Sequence, residues 1–114
     1  MNELLKIVVK ELDDKMATDI QIIDLQKISP FSDYFVIVTA NNQRLANAMF
    51  KSVVEKAAEH NYPTRAVEGT DDSEWILVDL YDVVVHIFVN EARTIYQLEK
   101  LWGDLPRVNI DDLW

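Results

Sequence analysis

The acidic side chains near the two most apolar segments are the residues best suited to metal-assisted catalysis. Asp33 directly precedes one such segment, at residues 34–40, and Asp79 lies inside another, at residues 75–81. In a two-metal nucleotidyl transferase, carboxylates on adjacent strands hold magnesium ions. That arrangement needs a further carboxylate two positions after Asp33, where this chain has Phe35, and a preceding glycine-serine signature that is missing here. The residues therefore argue against catalysis, and Asp33 is better explained as a turn residue.

Other common catalytic and cofactor-binding motifs are also missing from the sequence. The chain has no cysteine, two glycines, Gly69 and Gly103, and two histidines, His60 and His86. Phosphate-binding loops need several closely spaced glycines, and zinc sites usually use cysteine or clustered histidine ligands. His60 lies at a predicted helix end, where a histidine commonly interacts with the helix dipole. We therefore predict no catalytic residue, no metal site and no cofactor.

The charge balance indicates which macromolecules the chain can bind. The sequence has 11 Lys and Arg residues against 20 Asp and Glu residues, a net charge of -9. Such a charge repels phosphate backbones and attracts basic proteins, although it also serves solubility alone. No run approaches the roughly 18 apolar residues of a membrane-spanning helix, and the charged N-terminal segment is not typical of a signal peptide. We predict a cytoplasmic protein with little or no direct nucleic-acid binding.

The first half of the chain alternates helix and strand patterns. Apolar residues at spacings of three and four predict a helix over residues 2–15. Its inward residues are Leu5, Val8, Val9, Leu12 and Met16. Strands are predicted at residues 19–25 and 34–40, the second buried on both faces, with a loop at residues 29–33 between them. Asn41 or Asn42 can cap the next helix, which Asn61 and the following Tyr-Pro pair terminate. Its inward residues are Ala46, Met49, Phe50, Val53 and Ala57.

The second half of the chain predicts a short strand, a hairpin and a final helix. A strand at residues 64–67 and a polar loop at 68–73 precede two strands, 75–81 and 83–89, that turn at Tyr81 and Asp82. Asn90 can cap a helix over residues 91–102, which ends at Gly103 in a left-handed cap. The inward residues of that helix are Ile95, Leu98, Leu101 and Trp102. Composition and element order predict a single α/β domain, residues 1–103, with a mixed β-sheet packed by helices, and an irregular tail at residues 104–114.

The two faces of the predicted hairpin differ in composition. With Tyr81 and Asp82 at the turn, one face is wholly aliphatic and should lie in the core. The other face carries Trp75, Leu77, Asp79, Val84, His86 and Phe88. Aromatic residues beside ionisable groups suit a protein interface. The alternative is that a helix covers this face and that Asp79 pairs with His86 inside the protein, and the pattern alone leaves both possibilities open.

Four segments of the chain form a recognisable series. They are SDYFVI at 32–37, EG at 68–69, WILVDLYDVVVHIF at 75–88 and RTIYQLEKLW at 93–102. In this order and spacing they resemble the ribosomal silencing factor family, also called the Iojap family, over nearly the whole chain. The resemblance implies a fold related to nucleotidyl transferases without their catalytic carboxylate set, and a homodimer when free. It also implies binding to the large ribosomal subunit through its protein fourteen, which blocks joining of the small subunit and lowers translation when nutrients are scarce.

The resemblance further implies which residues form the binding surface. The family's aromatic and acidic positions stand here as Trp75, Asp79, Tyr81, His86 and Tyr96, with Glu68 less securely placed. Trp75 and Tyr81 would anchor the partner by burial, whereas Asp79 and Glu68 would meet its Lys or Arg side chains. Tyr96 has a simpler explanation as a packing residue between the last helix and the sheet. An adaptor for another protein and a nucleotidyl transferase are the alternative functions.

Overall fold

A computed structural model of the chain describes residues 2–69, 72–97, 100 and 103–114. Its elements in chain order are α1 (Glu3–Asp14), β1 (Thr18–Asp24), β2 (Tyr34–Ala40), α2 (Gln43–Glu59), β3 (Ala66–Glu68), β4 (Trp75–Asp79), β5 (Val83–Val89), α3 (Ala92–Tyr96) and a 3-10 helix (Ile110–Leu113). The five strands form one sheet in the order β1-β2-β5-β4-β3. Strands β2 and β5 are parallel, and the other pairs are antiparallel. The predicted α/β domain with a mixed sheet is confirmed.

The first two helices begin at asparagine caps. The side-chain Oδ1 of Asn2 accepts a hydrogen bond from Leu5 N at 3.1 Å, and that of Asn42 accepts one from Leu45 N at 2.9 Å. These bonds satisfy backbone donors that have no partner inside the helix. The second bond also identifies Asn42, rather than Asn41, as the cap of α2. In the described part of the chain, no helix is both long enough and apolar enough to cross a membrane.

The prediction that Met16 belongs to the inward stripe of α1 is wrong. The helix ends at Asp14, and Met16 adopts a left-handed backbone conformation with φ of 69°. The chain reverses there because the amide of Ala17 returns to the carbonyl of Leu12, at 3.0 Å. The side chain of Met16 is consequently 65% exposed. A helical spacing pattern cannot indicate where the chain leaves the helix.

Helices α1 and α2 pack on one face of the sheet, which we call the helix-covered face. The hairpin register is the predicted one, since Val78 pairs with Val85 and Ile76 with Ile87. Six hairpin side chains on this face are buried in one aliphatic cluster with the two helices: Ile76, Val78, Leu80, Val83, Val85 and Ile87. The predicted inward residues of α2 join the same cluster, with Phe50 partly buried at its margin. The aliphatic face of the hairpin therefore lies in the core, as predicted.

Helix α3 differs from the prediction at both ends. Its N-cap residue is Glu91, and Asn90 precedes it with a φ of 55°. The residue after Tyr96, Gln97, is left-handed with φ of 50° and ends this helix. Ile95 is 72% exposed, so its prediction as an inward residue is wrong; Ala92 and Arg93 are the buried residues of this turn. The predicted continuation through Leu98, Leu101 and Trp102 to the cap at Gly103 depends on residues outside those described.

The tail after Gly103 lies along the outer edge of β1. Asp24 N donates to Pro106 O and Val108 N donates to Ile22 O, both at 2.9 Å. Further on, Leu113 in the 3-10 helix is buried in the aliphatic cluster. These bonds occupy backbone groups that an edge strand would otherwise expose. The division between domain and tail at residue 103 remains a prediction.

Candidate functional site

The face of the sheet opposite α1 and α2 carries the hairpin residues that were predicted to bind a partner. We call it the aromatic face. Alternation along β4 and β5 places six side chains here, namely Trp75, Leu77, Asp79, Val84, His86 and Phe88. The parallel pairing of β2 with β5 adds Phe35 beside Val84, and Ile37 beside His86. The β5 residues are buried, whereas the three β4 residues are partly exposed. This face is therefore covered only in part.

Five ring systems on this face form what we call the aromatic cluster: Phe35, Trp75, His86, Phe88 and Tyr96. The ring centroid of Trp75 lies 5.1 Å from that of Phe88 and 4.8 Å from that of Tyr96. Phe35 meets His86 edge to face at 4.7 Å. Such tilted contacts stabilise aromatic pairs beyond the area that they bury. Tyr96 packs on the sheet yet remains 47% exposed, so it reaches both the cluster and the surface.

His86 lies beneath Trp75 and is hydrogen-bonded to it. The indole Nε1 of Trp75 donates to His86 Nδ1 at 3.1 Å, and His86 is 3% exposed. Burial lowers the pKa of His86 from 6.5 to about 4, because a charged imidazole would lose its hydration there. His86 is thus neutral near pH 7. The possibility that Asp79 pairs with His86 is wrong, since Trp75 is the hydrogen-bond partner.

Asp79 is instead neutralised by an arginine. Both Nε and Nη2 of Arg65 donate to Asp79 Oδ2, at 2.9 and 2.5 Å. The guanidinium also lies over the ring of Tyr81, 5.3 Å from its centroid, and Tyr81 N donates to Asp79 Oδ1 at 2.9 Å. Charge-assisted bonds and the cation–π contact hold these three side chains together at the hairpin end. The carboxylate of Asp79 already has a cationic partner.

Glu68 and Gly69 line a shallow groove beside Trp75 and Leu77, with a volume of about 200 Å³. Glu68 is exposed and pairs with Leu77 across the β3–β4 ladder. Gly69 has a φ of 105°, and a Cβ at this position would approach the carbonyl oxygen of Trp75 to 2.7 Å. A glycine is therefore required for the chain to pass this close to β4. Glu68 is held near Trp75 as a result.

The carboxylates considered for metal binding do not form a ligand set. Burial, and then the charges of Asp82 and Asp24, raise the pKa of Asp33 above its usual range. Its backbone bridges two loops, since Asp33 N donates to Asp82 O and Asp33 O accepts from Leu25 N. Among the residues that the structure describes, no three acidic or histidine side chains could hold a metal ion together. Asp33 is accordingly a residue of the loop framework.

Five of the six predicted site residues fall into two neighbouring groups. Trp75, His86 and Tyr96 belong to the aromatic cluster, whereas Asp79 and Tyr81 form a network with Arg65. Glu68 lies in the groove beside Trp75. Sequence reasoning missed Phe35 and Arg65. The alternation of β2 would have placed Phe35 on this face, and antiparallel pairing of the predicted strand 64–67 with β4 would have brought Arg65 near Asp79.

Comparison with known proteins identifies the family. A family model described as "Ribosomal silencing factor during starvation" matches residues 1–114. The chain belongs to this family. "Ribosomal silencing factor RsfS" of Bacillus subtilis (strain 168) is 42% identical over 108 residues, which cover 95% of this chain and 92% of that protein. A Mus musculus relative named "Mitochondrial assembly of ribosomal large subunit protein 1" is 35% identical over 98 residues, covering 82% of this chain and 42% of that protein.

A solved structure of a relative has the same fold as this chain. The crystal structure of a protein from Chromobacterium violaceum superimposes with a TM-score of 0.84 at 33% sequence identity, covering 90% of this chain and 88% of that one. The names of the family model and of the Bacillus subtilis relative refer to ribosomal silencing, a regulatory role rather than an enzymatic one. Family membership thus confirms the predicted resemblance and the prediction of a non-enzymatic protein.

Proposed function

We propose that this silencing factor binds the large ribosomal subunit through its protein fourteen and prevents the small subunit from joining when nutrients are scarce. The family match over residues 1–114 carries the proposal. The name of the mouse relative adds a connection with the large subunit for that protein. The net charge of -9 favours a basic ribosomal protein over ribosomal RNA as the partner. Translation falls because fewer complete ribosomes assemble.

The mechanism is steric occlusion, which requires affinity and position but no chemistry. The partly exposed rings of Trp75 and Tyr96 support the aromatic face as the binding surface, since they pack against each other and remain accessible to a partner. Tyr81 at the hairpin end and Glu68 in the groove beside Trp75 extend this surface. Because Asp79 is bound to Arg65, its proposed role is to hold Arg65 and Tyr81 in place for the partner.

The free protein is proposed to be a cytoplasmic homodimer. Sedimentation equilibrium of the purified chain should give twice the 13.2 kDa mass of one copy. A monomer at all concentrations would contradict the dimer without affecting the ribosome proposal. Fluorescence microscopy of the tagged protein tests the location.

A subunit-joining assay tests the proposed mechanism. Purified protein added to separated subunits should reduce the joined population, remain with the free large subunit, and bind isolated protein fourteen. Trp75→Ala should weaken large-subunit binding by about 2 kcal/mol, or roughly thirtyfold, as expected for a buried aromatic anchor. The matched control is Trp114→Ala, because Trp114 lies beside α1 and away from the aromatic face. Unchanged joining at saturating protein, or co-sedimentation with the small subunit, would refute occlusion.

A further inference from the structure

The hydrogen bond between Trp75 and His86 determines where the proton of the imidazole lies. An indole has a single N–H group and no acceptor, so Trp75 Nε1 must be the donor. His86 Nδ1, at 3.1 Å, is therefore unprotonated. In a neutral imidazole the other nitrogen carries the proton, which places it on His86 Nε2. That atom is buried and has no hydrogen-bond partner among the described residues.

His86 is the more firmly fixed member of the pair. It lies on β5, between Ile37 of β2 and Leu77 of β4, and it is 3% exposed. Phe35 packs against its ring. The two residues paired with it, Ile37 and Leu77, are uncharged, and burial is the cause of its lowered pKa. The acceptor at Nδ1 is therefore held in a constant position by the sheet.

Trp75 has one directional contact and several that are not directional. Its contacts with Phe88 and Tyr96 are tilted, with interplanar angles of 33° and 53°. Ring contacts of this kind tolerate a range of orientations. The hydrogen bond to His86 selects one orientation of the indole among these contacts, because its strength depends on direction. It also occupies the only polar group of the indole.

We propose that His86 is a positioning residue of the binding surface: it does not touch the partner, but its Nδ1 fixes the indole of Trp75 so that the partner meets the ring carbons rather than the N–H. This inference rests on the proposed function. The sequence predicted that His86 contacts the partner. In this proposal His86 acts indirectly, through Trp75. Fixing the ring in the free protein lowers the entropy lost on binding.

Two variants of His86 whose side chains are similar to each other in shape test this positioning role against a merely structural one. His86→Asn keeps an acceptor near the position of Nδ1, whereas His86→Leu removes it. His86→Leu should raise the dissociation constant for the large subunit about tenfold, because one hydrogen bond that orients the anchor is lost. His86→Asn should bind within about threefold of the unmodified protein although its buried amide donors make it the less stable variant. Binding that follows melting temperature across both variants would overturn the proposal.

An NMR measurement on the free protein gives a readout that does not involve the ribosome. With Trp102 and Trp114 changed to Phe, the indole proton of Trp75 should exchange slowly with solvent, and His86→Leu should accelerate this exchange. Rapid exchange in the unmodified indole would overturn the hydrogen bond. If Trp75→Ala binds normally, the binding surface itself is refuted. If Trp75→Ala binds weakly but His86→Leu binds normally, only the positioning role is refuted.

Discussion

The two faces of the β4–β5 hairpin use the same strands for different purposes. On the helix-covered face, the six hairpin side chains are aliphatic and are buried under α1 and α2. On the aromatic face, the side chains include a histidine, a tryptophan and an aspartate with specific hydrogen-bond partners. Because successive residues of a strand point to opposite faces, neighbouring positions of the hairpin contribute to the aliphatic core and to the aromatic face in turn.

The contacts on the two faces also differ in their dependence on direction. Hydrophobic packing on the helix-covered face depends on volume, so truncation there leaves a cavity. The bonds from Trp75 to His86 and from Arg65 to Asp79 depend on angle as well as distance. The aromatic face is therefore organised to present side chains in defined orientations. Substitutions that separate stability from binding test this difference between the faces.

The largest expected effect is on the helix-covered face. Ile87→Ala should lower the free energy of unfolding by about 2 to 5 kcal/mol, because Ile87 is fully buried in the aliphatic cluster and its loss leaves a cavity. Denaturant titration measures the change. The fraction that stays folded should bind the large subunit with an unchanged dissociation constant. A weakened dissociation constant at full folding would show that the two faces are not independent.

Acidification should destabilise the aromatic face through His86. Its pKa is about 4 in the folded protein and 6.5 as the unperturbed value, so below pH 6.5 the unfolded chain takes up a proton that the native state does not. This contribution is complete above pH 6.5 and is lost progressively as the pH falls from 6.5 to about 4, by on the order of 3 kcal/mol.

Denaturant titrations between pH 7 and pH 4 measure this loss. Carboxylates also titrate in this range, so the difference between the unmodified protein and His86→Leu isolates the histidine. His60→Leu is the matched control, because it changes an exposed histidine. Parallel pH profiles for the unmodified protein and His86→Leu would contradict the buried, neutral imidazole.

Tyr96 tests whether α3 packing and partner binding can be separated. Tyr96→Ala should weaken large-subunit binding by about 1 to 2 kcal/mol, since its exposed ring lies beside Trp75. Ile95→Ala is the control, because Ile95 is exposed on the same helix and lines a different groove, beside Glu74 and Asn90. Thermal melts and co-sedimentation distinguish the outcomes. A lowered melting temperature with normal binding of the folded fraction would show that Tyr96 packs α3 on the sheet and does not contact the partner.

The hairpin could be predicted from the sequence because one local pattern decides both its register and its faces. The alternation from Trp75 to Val89 separates aliphatic from mixed positions, and the turn at Tyr81 fixes which residues pair. No such local signal indicates which side chains form hydrogen bonds with each other across the sheet. That Asp79 pairs with Arg65, and His86 with Trp75, depends on strand order and side-chain reach. Similarly, Ile95 fits a helical stripe, but the side of α3 that packs on the protein carries Ala92 and Arg93.

The smallest expected effect concerns the ion pair beside Tyr81, where the side chain of Arg65 is 46% exposed and that of Asp79 is 13% exposed. Arg65→Ala should lower the free energy of unfolding by about 1 kcal/mol or less, because solvent screens a half-exposed pair. Its effect on binding should be similar in size, since Tyr81 loses the guanidinium that lies over its ring. A double-mutant cycle of Arg65→Ala with Asp79→Asn measures the coupling free energy of the pair. The control is Lys51→Ala, which removes an exposed cation from α2. If Arg65→Ala abolished large-subunit binding while Trp75→Ala did not, the binding surface would centre on the hairpin end instead of the aromatic cluster.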